Sequence, residues 1–138
     1  AQAQLFAARP WVIVDSGSSS DEALLAVRSL AVDLGAVPVT MGAENHDHAV
    51  ALVSHLPQVA ASLVAARLQD AQDEALSLAG QGLRDTTRIA ASDAALWAGI
   101  LSANAGPVRA LLAGLREDLD RAIEALDSGS LAELALLV

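Results

Sequence analysis

The chain has no cysteine, so it can form neither a disulfide framework nor a thiolate metal site. That agrees with a cytoplasmic location, which is the expectation here. Basic residues are scarce: 8 against 17 acidic, for a formal charge of −9, and all of them are arginine. A phosphate backbone calls for a basic footprint, so the balance argues against a nucleic-acid partner. It argues equally against an anionic membrane surface. A small anionic ligand stays open, because one or two placed arginines can outweigh a diffuse field locally. No apolar run approaches the roughly 20 residues that span a bilayer. The stretch from Ala1 to Pro10 lacks the shape of a signal peptide. Aromatic residues are limited to Phe6, Trp11 and Trp97.

What is present is aliphatic. Hydrophobic residues make up 54% of the chain and mean hydropathy is +0.43, a mass built from Ala, Leu and Val. Ala and Leu favour helices, and small side chains let helices approach closely. An apolar surplus in 138 residues predicts buried interfaces with another domain or subunit.

Trp11-Val12-Ile13-Val14 reads as a short strand, and Asp15 to Ser20 as a loop. Ser19 with Glu22 fits a capping box opening a helix from Asp21 to Leu34, stopped by Gly35. Val37-Pro38-Val39-Thr40-Met41 reads as a second strand, completing a βαβ unit that wants a parallel sheet. Residues 1–42 are expected to be the strand-helix-strand tail of a larger nucleotide-binding domain, and residues 43–138 an all-helical domain. In the second part we expect a helix from Glu44 to Leu68 interrupted at Pro57, and another from Gln72 to Ala79. A loop should follow from Gly80 to Ala91, then a helix capped by Ser92 and ending near Asn104. Gly106-Pro107 then starts a helix with an apolar stripe from Val108 to Leu126. Asp127-Ser128-Gly129 ends it, and Ser130 caps a short helix from Leu131 to Val138.

Two stretches carry polar residues that a plain helical protein would not need. The first is His46-Asp47-His48 through Ser54-His55-Leu56-Pro57-Gln58. His46 and His48 fall on nearly opposite helix faces, and His48 and His55 lie roughly 10 Å apart along the axis, too far for one zinc ion. The histidines therefore read as surface or internally satisfied groups, and no metal is expected. Asp47, Ser54 and Gln58 follow i, i+7, i+11 beside Ala51 and Ala61, next to a proline that should bend the helix. Such a stripe either lines a ligand cleft or forms a polar face towards solvent or another helix.

The second stretch runs from Gly82 to Trp97. Arg84 and Arg88 fall between predicted helices. A guanidinium binds a carboxylate through two parallel hydrogen bonds, so a loop arginine in a cleft can anchor an organic acid. The competing reading is a pair of surface contacts, Arg84–Asp85 and Arg88–Asp93, worth little. Gly80-x-Gly82 alone is too weak to be a phosphate loop. Trp97, four after Asp93, fits plain core equally well.

The order of these pieces resembles the prephenate dehydrogenase family of tyrosine biosynthesis. Phe6-x-x-Arg9-Pro10-Trp11-Val12-Ile13 is similar to the segment after that family's catalytic-histidine loop. Leu34-Gly35-Ala36 and Met41 look like the last strand of its nucleotide domain. His46-Asp47 and Ser54-His55-Leu56-Pro57 look like its domain-linking helix. Gly82-x-Arg84-Asp85-x-Thr87-Arg88-Ile89-Ala90 with Ser92-Asp93 and Trp97 looks like its substrate-anchoring loop. The likeness implies a mainly α fold: a helical dimerisation domain of five to six helices preceded by a βαβ remnant of a Rossmann-like domain. It implies an NAD-dependent parent enzyme, NADP being the alternative, that converts prephenate to 4-hydroxyphenylpyruvate by oxidative decarboxylation. Arogenate is the alternative substrate. Arg88 would hold a carboxylate, Ser54 and Gln58 would line the site near substrate and nicotinamide, and Trp97 would support it. The family often has histidine where this chain has Gln58, which can donate and accept hydrogen bonds but cannot titrate. No catalytic residue is expected here, since the glycine-rich fingerprint and catalytic histidine belong upstream. The chain is expected to be the C-terminal part of such an enzyme, inactive alone and homodimeric through its helices. The rival is a stand-alone helical interaction module without chemistry.

Overall fold

The computed structural model describes residues 4–15 and 17–137, and these divide into two compact units, Ala1–Ala49 and Val50–Val138. Ser16 and Val138, expected in a loop and in the last helix, lie outside the described residues.

The first unit is a strand-helix-strand. Strand β1 (Pro10–Asp15) pairs in parallel with β2 (Val37–Gly42), in register from Pro10↔Val37 to Asp15↔Gly42. Parallel neighbours need a crossover, here helix α1 (Asp21–Asp33). Its N-cap is Ser20, whose Oγ accepts from the Ala23 N–H at 3.2 Å, rather than Ser19 as the sequence suggested. The cap one residue later leaves Asp21 and Glu22 in the first turn, where the helix dipole favours acids. Gly35 ends the element at φ 78°, a left-handed conformation that a Cβ disfavours. Among the described residues the sheet has two strands, and Val12, Val14 and Val37 are exposed on them.

From Ala43 onward everything regular among the described residues is helical: α2 (Ala43–Val50), a π-helical turn (Ala51–His55), α3 (Leu56–Ala66), α4 (Asp73–Ser77), α5 (Gln81–Thr87), a 3₁₀ turn (Arg88–Ala91), α6 (Ala94–Ala103), α7 (Ala105–Ser128) and α8 (Leu131–Leu137). The additional helix beyond the expected set is α5, where a loop was foreseen. Gly80 serves as its extended N-cap, and the hydroxyls of Thr86 and Thr87 bond back to the carbonyls of Gly82 and Leu83 at 2.9 and 2.8 Å. Those bonds absorb the side-chain groups that would otherwise favour a turn. Helix α7 ends as expected on Gly129, left-handed at φ 68°.

In the second unit α3 packs on α5, the 3₁₀ turn and α7, while α6 and α8 pack on α7. Its buried members include Ala51, His55, Gln58, Ala61, Asn104, Val108 and Ala125. The stripe on α7 is buried at Val108 but exposed at Leu119, Ile123 and Leu126, and Leu131 and Leu136 of α8 are 79% and 87% exposed.

One expectation is corrected. The continuous helix Ala43–Ala66 has 24 residues and a mean hydropathy of 1.6 over its most apolar window, so by length and composition it could cross a membrane. A search for an unbroken apolar run passes over it, because Ser54, His55 and Gln58 interrupt the run without lowering the average enough. Yet His55 and Gln58 are among its buried members, while Leu52, Val53 and Leu63 are exposed.

Candidate functional site

The site grows from the irregular turn ahead of α3. Pro57 has no N–H to bond the carbonyl four residues earlier, and it lies in the first turn of α3, where that loss matters least. Just before it the helix widens: the Leu56 N–H bonds the Ala51 carbonyl, five residues back instead of four. The face that carries Ala51 therefore comes round to His55 and Gln58, both under 8% exposed, and Ser54 is left on the exposed side. Of the stripe Asp47, Ser54 and Gln58, only Gln58 is buried; Asp47 and Ser54 are exposed, as in the alternative of a polar face towards solvent.

Gln58 spans from α3 to the 3₁₀ turn, its Nε2 donating to the Ile89 carbonyl at 3.0 Å. The same carbonyl accepts from Ser92 Oγ at 2.6 Å and from the Ser92 N–H at 3.2 Å. Ser92 is thus committed to closing the 3₁₀ turn. The N-cap of α6 is Asp93, whose carboxylate accepts from the Leu96 N–H at 2.7 Å.

Gln58, Ser62, Ala90, Ser92 and Trp97 line a cavity of about 260 Å³ in this unit. Trp97 is held from behind. Its ring meets the His55 ring edge-on, centroids 6.1 Å apart and planes at 83°. His55 Nδ1 lies 3.2 Å from Asn104 Nδ2, at the junction of α6 and α7. Neither His55 nor Asn104 stood out in the sequence as part of a site. Spacing alone does not single out His55, because Ser54, three after Ala51 and four before Gln58, fits the same helical face equally well.

The two arginines separate. Arg84 is on α5, and its Nη2 donates to the Ala79 carbonyl at 3.1 Å. Arg88 opens the 3₁₀ turn whose Ala90 lines the cavity, and it is exposed. The anticipated surface pairs do not form. Asp85 accepts from Gln81 instead, Asp93 caps α6, and the Arg88 guanidinium has no hydrogen-bond or ion-pair partner among the described residues. Of the four expected ligand-lining residues, the structure brings Gln58 and Trp97 to the cavity wall and Arg88 to the adjoining turn; Ser54 is not among them. His46 and His48 are engaged locally, by Asp47 at 3.1 Å and the Glu44 carbonyl at 2.9 Å.

Known proteins resemble the chain along nearly its whole length. The family profile described as "Prephenate dehydrogenase, dimerization domain" matches residues 42–137. The "Probable prephenate dehydrogenase NovF" of Streptomyces niveus is 40% identical over 96% of the chain and 38% of its own length. The cyclohexadienyl dehydrogenase of Zymomonas mobilis is 29% identical over 91% of the chain and 44% of its own length. The chain therefore spans less than half of these relatives. Among solved structures, Synechocystis arogenate dehydrogenase superposes with a TM-score of 0.85 at 27% identity, covering 97% of this chain and 50% of that one. The Aquifex aeolicus prephenate dehydrogenase, solved with hydroxyphenyl propionate and NAD+, gives 0.85 at 27% identity, covering 96% and 47%. The chain belongs to the prephenate dehydrogenase family, with that family's dimerization domain in residues 42–137.

Proposed function

We propose that the chain forms the substrate-binding and dimerisation part of a cytoplasmic NAD- or NADP-dependent dehydrogenase of tyrosine biosynthesis, acting on prephenate or its amino counterpart arogenate. In that reaction a hydride leaves the substrate ring for the nicotinamide, the ring hydroxyl loses a proton to a base, and CO₂ departs as the ring becomes aromatic. The supporting observation is the meeting of Gln58, Trp97 and the Arg88 turn around one cavity inside the family-matched segment. Arg88 is assigned to a substrate carboxylate, Gln58 and Trp97 to the wall, and Ser54 to the side facing the nicotinamide.

The Gly80-x-Gly82 segment does not supply a dinucleotide turn. Gly80 and Gly82 cap and begin the seven-residue helix α5 rather than forming a strand-to-helix phosphate turn. We assign residues 1–42 to the tail of the nucleotide-binding domain, and the cofactor site and proton acceptor to parts of the parent enzyme outside these 138 residues. The purified 138-residue chain should therefore show no nicotinamide reduction with prephenate or arogenate, whereas the complete enzyme should release reduced nicotinamide and CO₂ in equal amounts. Turnover by the chain alone would overturn this division of labour.

The exposed leucines of α7 and α8 suit a homodimer, and the net charge of −9 suits neither nucleic acid nor an anionic bilayer as partner. A stable dimer of this type buries on the order of 2,000 Å² or more. Sedimentation should report a dimer at micromolar concentration; a monomer there would count against the assignment.

A further inference from the structure

The helical unit buries two polar side chains, His55 and Asn104, that do not line the cavity. We propose that they form a positioning pair: His55, fixed by Asn104, sets the orientation of the Trp97 ring in the cavity wall without itself touching substrate. This rests on the dehydrogenase reading above and adds two residues behind its site.

Such a pair is costly in a core. Apart from Gln58, the other buried members of this unit are alanine and valine. A buried polar pair carries a desolvation cost that an apolar side chain of the same shape avoids. What it adds is direction. An amide nitrogen can only donate, so Asn104 Nδ2 donates to His55 Nδ1 at 3.2 Å. Turning the imidazole over would put a carbon at that contact, so the bond leaves the ring one orientation. Asn104 is itself anchored. Its N–H donates to the Ile100 carbonyl at 3.2 Å, and its carbonyl accepts from the Val108 N–H at 3.3 Å.

Trp97 lies on α6 and Asn104 is that helix's C-cap, two turns further on and on the same side. His55 meets α6 at both points, through the Asn104 bond and through its edge-on contact with the indole, centroids 6.1 Å apart. Swinging the indole towards His55 means displacing a ring that is hydrogen-bonded in place. Trp97 is the member of this trio that reaches the cavity, so it is the route by which the pair acts on a ligand. A wall residue held in one rotamer by its supporting shell is what precise binding requires.

The test uses the complete enzyme containing this chain, with prephenate and arogenate as substrates. His55→Phe keeps a ring against Trp97 and drops the Asn104 bond. Asn104→Ala drops the same bond and keeps the imidazole. Each should raise the KM of the consumed substrate by roughly threefold to tenfold, the scale of one aromatic contact. In a Trp97→Leu background the same substitutions should leave KM where Trp97→Leu alone puts it, while still lowering the melting point. A role in the core alone moves the melting point and not KM. A KM that stays at the wild-type value in a folded variant, or that moves equally with and without Trp97, overturns the proposal and leaves the dehydrogenase standing. Should His55→Phe not fold, Asn104→Ala carries the comparison. An enzyme that consumes neither compound overturns the dehydrogenase reading, and this one with it.

Discussion

Arg88→Ala should lower kcat/KM of the complete enzyme by about 30-fold to 1,000-fold. The guanidinium sits on the 3₁₀ turn that joins the cavity wall, and no carboxylate among the described residues engages it. An exposed charge without an internal partner, two residues before the cavity-lining Ala90, is available to an external one. Losing a charge-assisted bidentate contact costs roughly 2–4 kcal/mol when the partner is partly desolvated, and each 1.4 kcal/mol is about tenfold in rate. Arg88→Lys should recover only part, because an ammonium keeps the charge and loses the fork. If the contact is the same in ground and transition states, KM carries most of the loss. Binding of NAD should barely change. Arg84→Ala is the internal control, since that side chain is already bonded to the Ala79 carbonyl. Steady-state kinetics on the three variants decide: near-normal kcat/KM in Arg88→Ala together with a lowered melting point would make the arginine structural.

His55→Ala should be the most damaging single change to the stability of the helical unit. The ring is 7% exposed, sits edge-on to Trp97 and bonds Asn104 between α6 and α7, so it ties three helices together. Its removal combines a cavity with the loss of a buried hydrogen bond, together about 3 kcal/mol. For a domain of this size that corresponds to a fall in Tm of on the order of 10–25 °C. Asn104→Ala should be less severe, and the double variant should be less destabilised than the sum, because both substitutions break one bond. Thermal melts followed by circular dichroism give the comparison. Strict additivity would mean that the two side chains do not act through each other.

The sequence revealed those features whose cause is local. The strands, α1, the Gly35 and Gly129 stops and the apolar stripe of α7 follow from propensity, caps and periodicity. The misread stretches share a different cause. Gly80 to Ala91 looked like a loop because Gly80, Gly82 and two threonines are poor helix formers; hydroxyl bonds back to the turn and packing against α3 make it helical. Ser92 looked like a cap, but its hydroxyl is taken by the 3₁₀ turn and the cap passes to Asp93. In the site, Gln58 and Trp97 were legible as motif residues, whereas grouping Ser54 with Gln58 on one side assumes an α-helical period. The π turn before Pro57 breaks that period, and nothing in the local composition marks where the extra residue is absorbed. The His55–Asn104 bond joins positions 49 residues apart, beyond the reach of any periodicity.

The Ile89 carbonyl holds the two sides of the cavity together, receiving Gln58 from one helix and Ser92 from its own turn. It is a backbone atom, and so it is invisible to genetics in the ordinary sense. Every replacement at position 89 retains it, and a mutational scan there would register only how well each side chain packs. The anchor is inherited through the shape of the turn rather than through any one codon. Drift can rewrite the residue freely, provided that the chain still bends where it does.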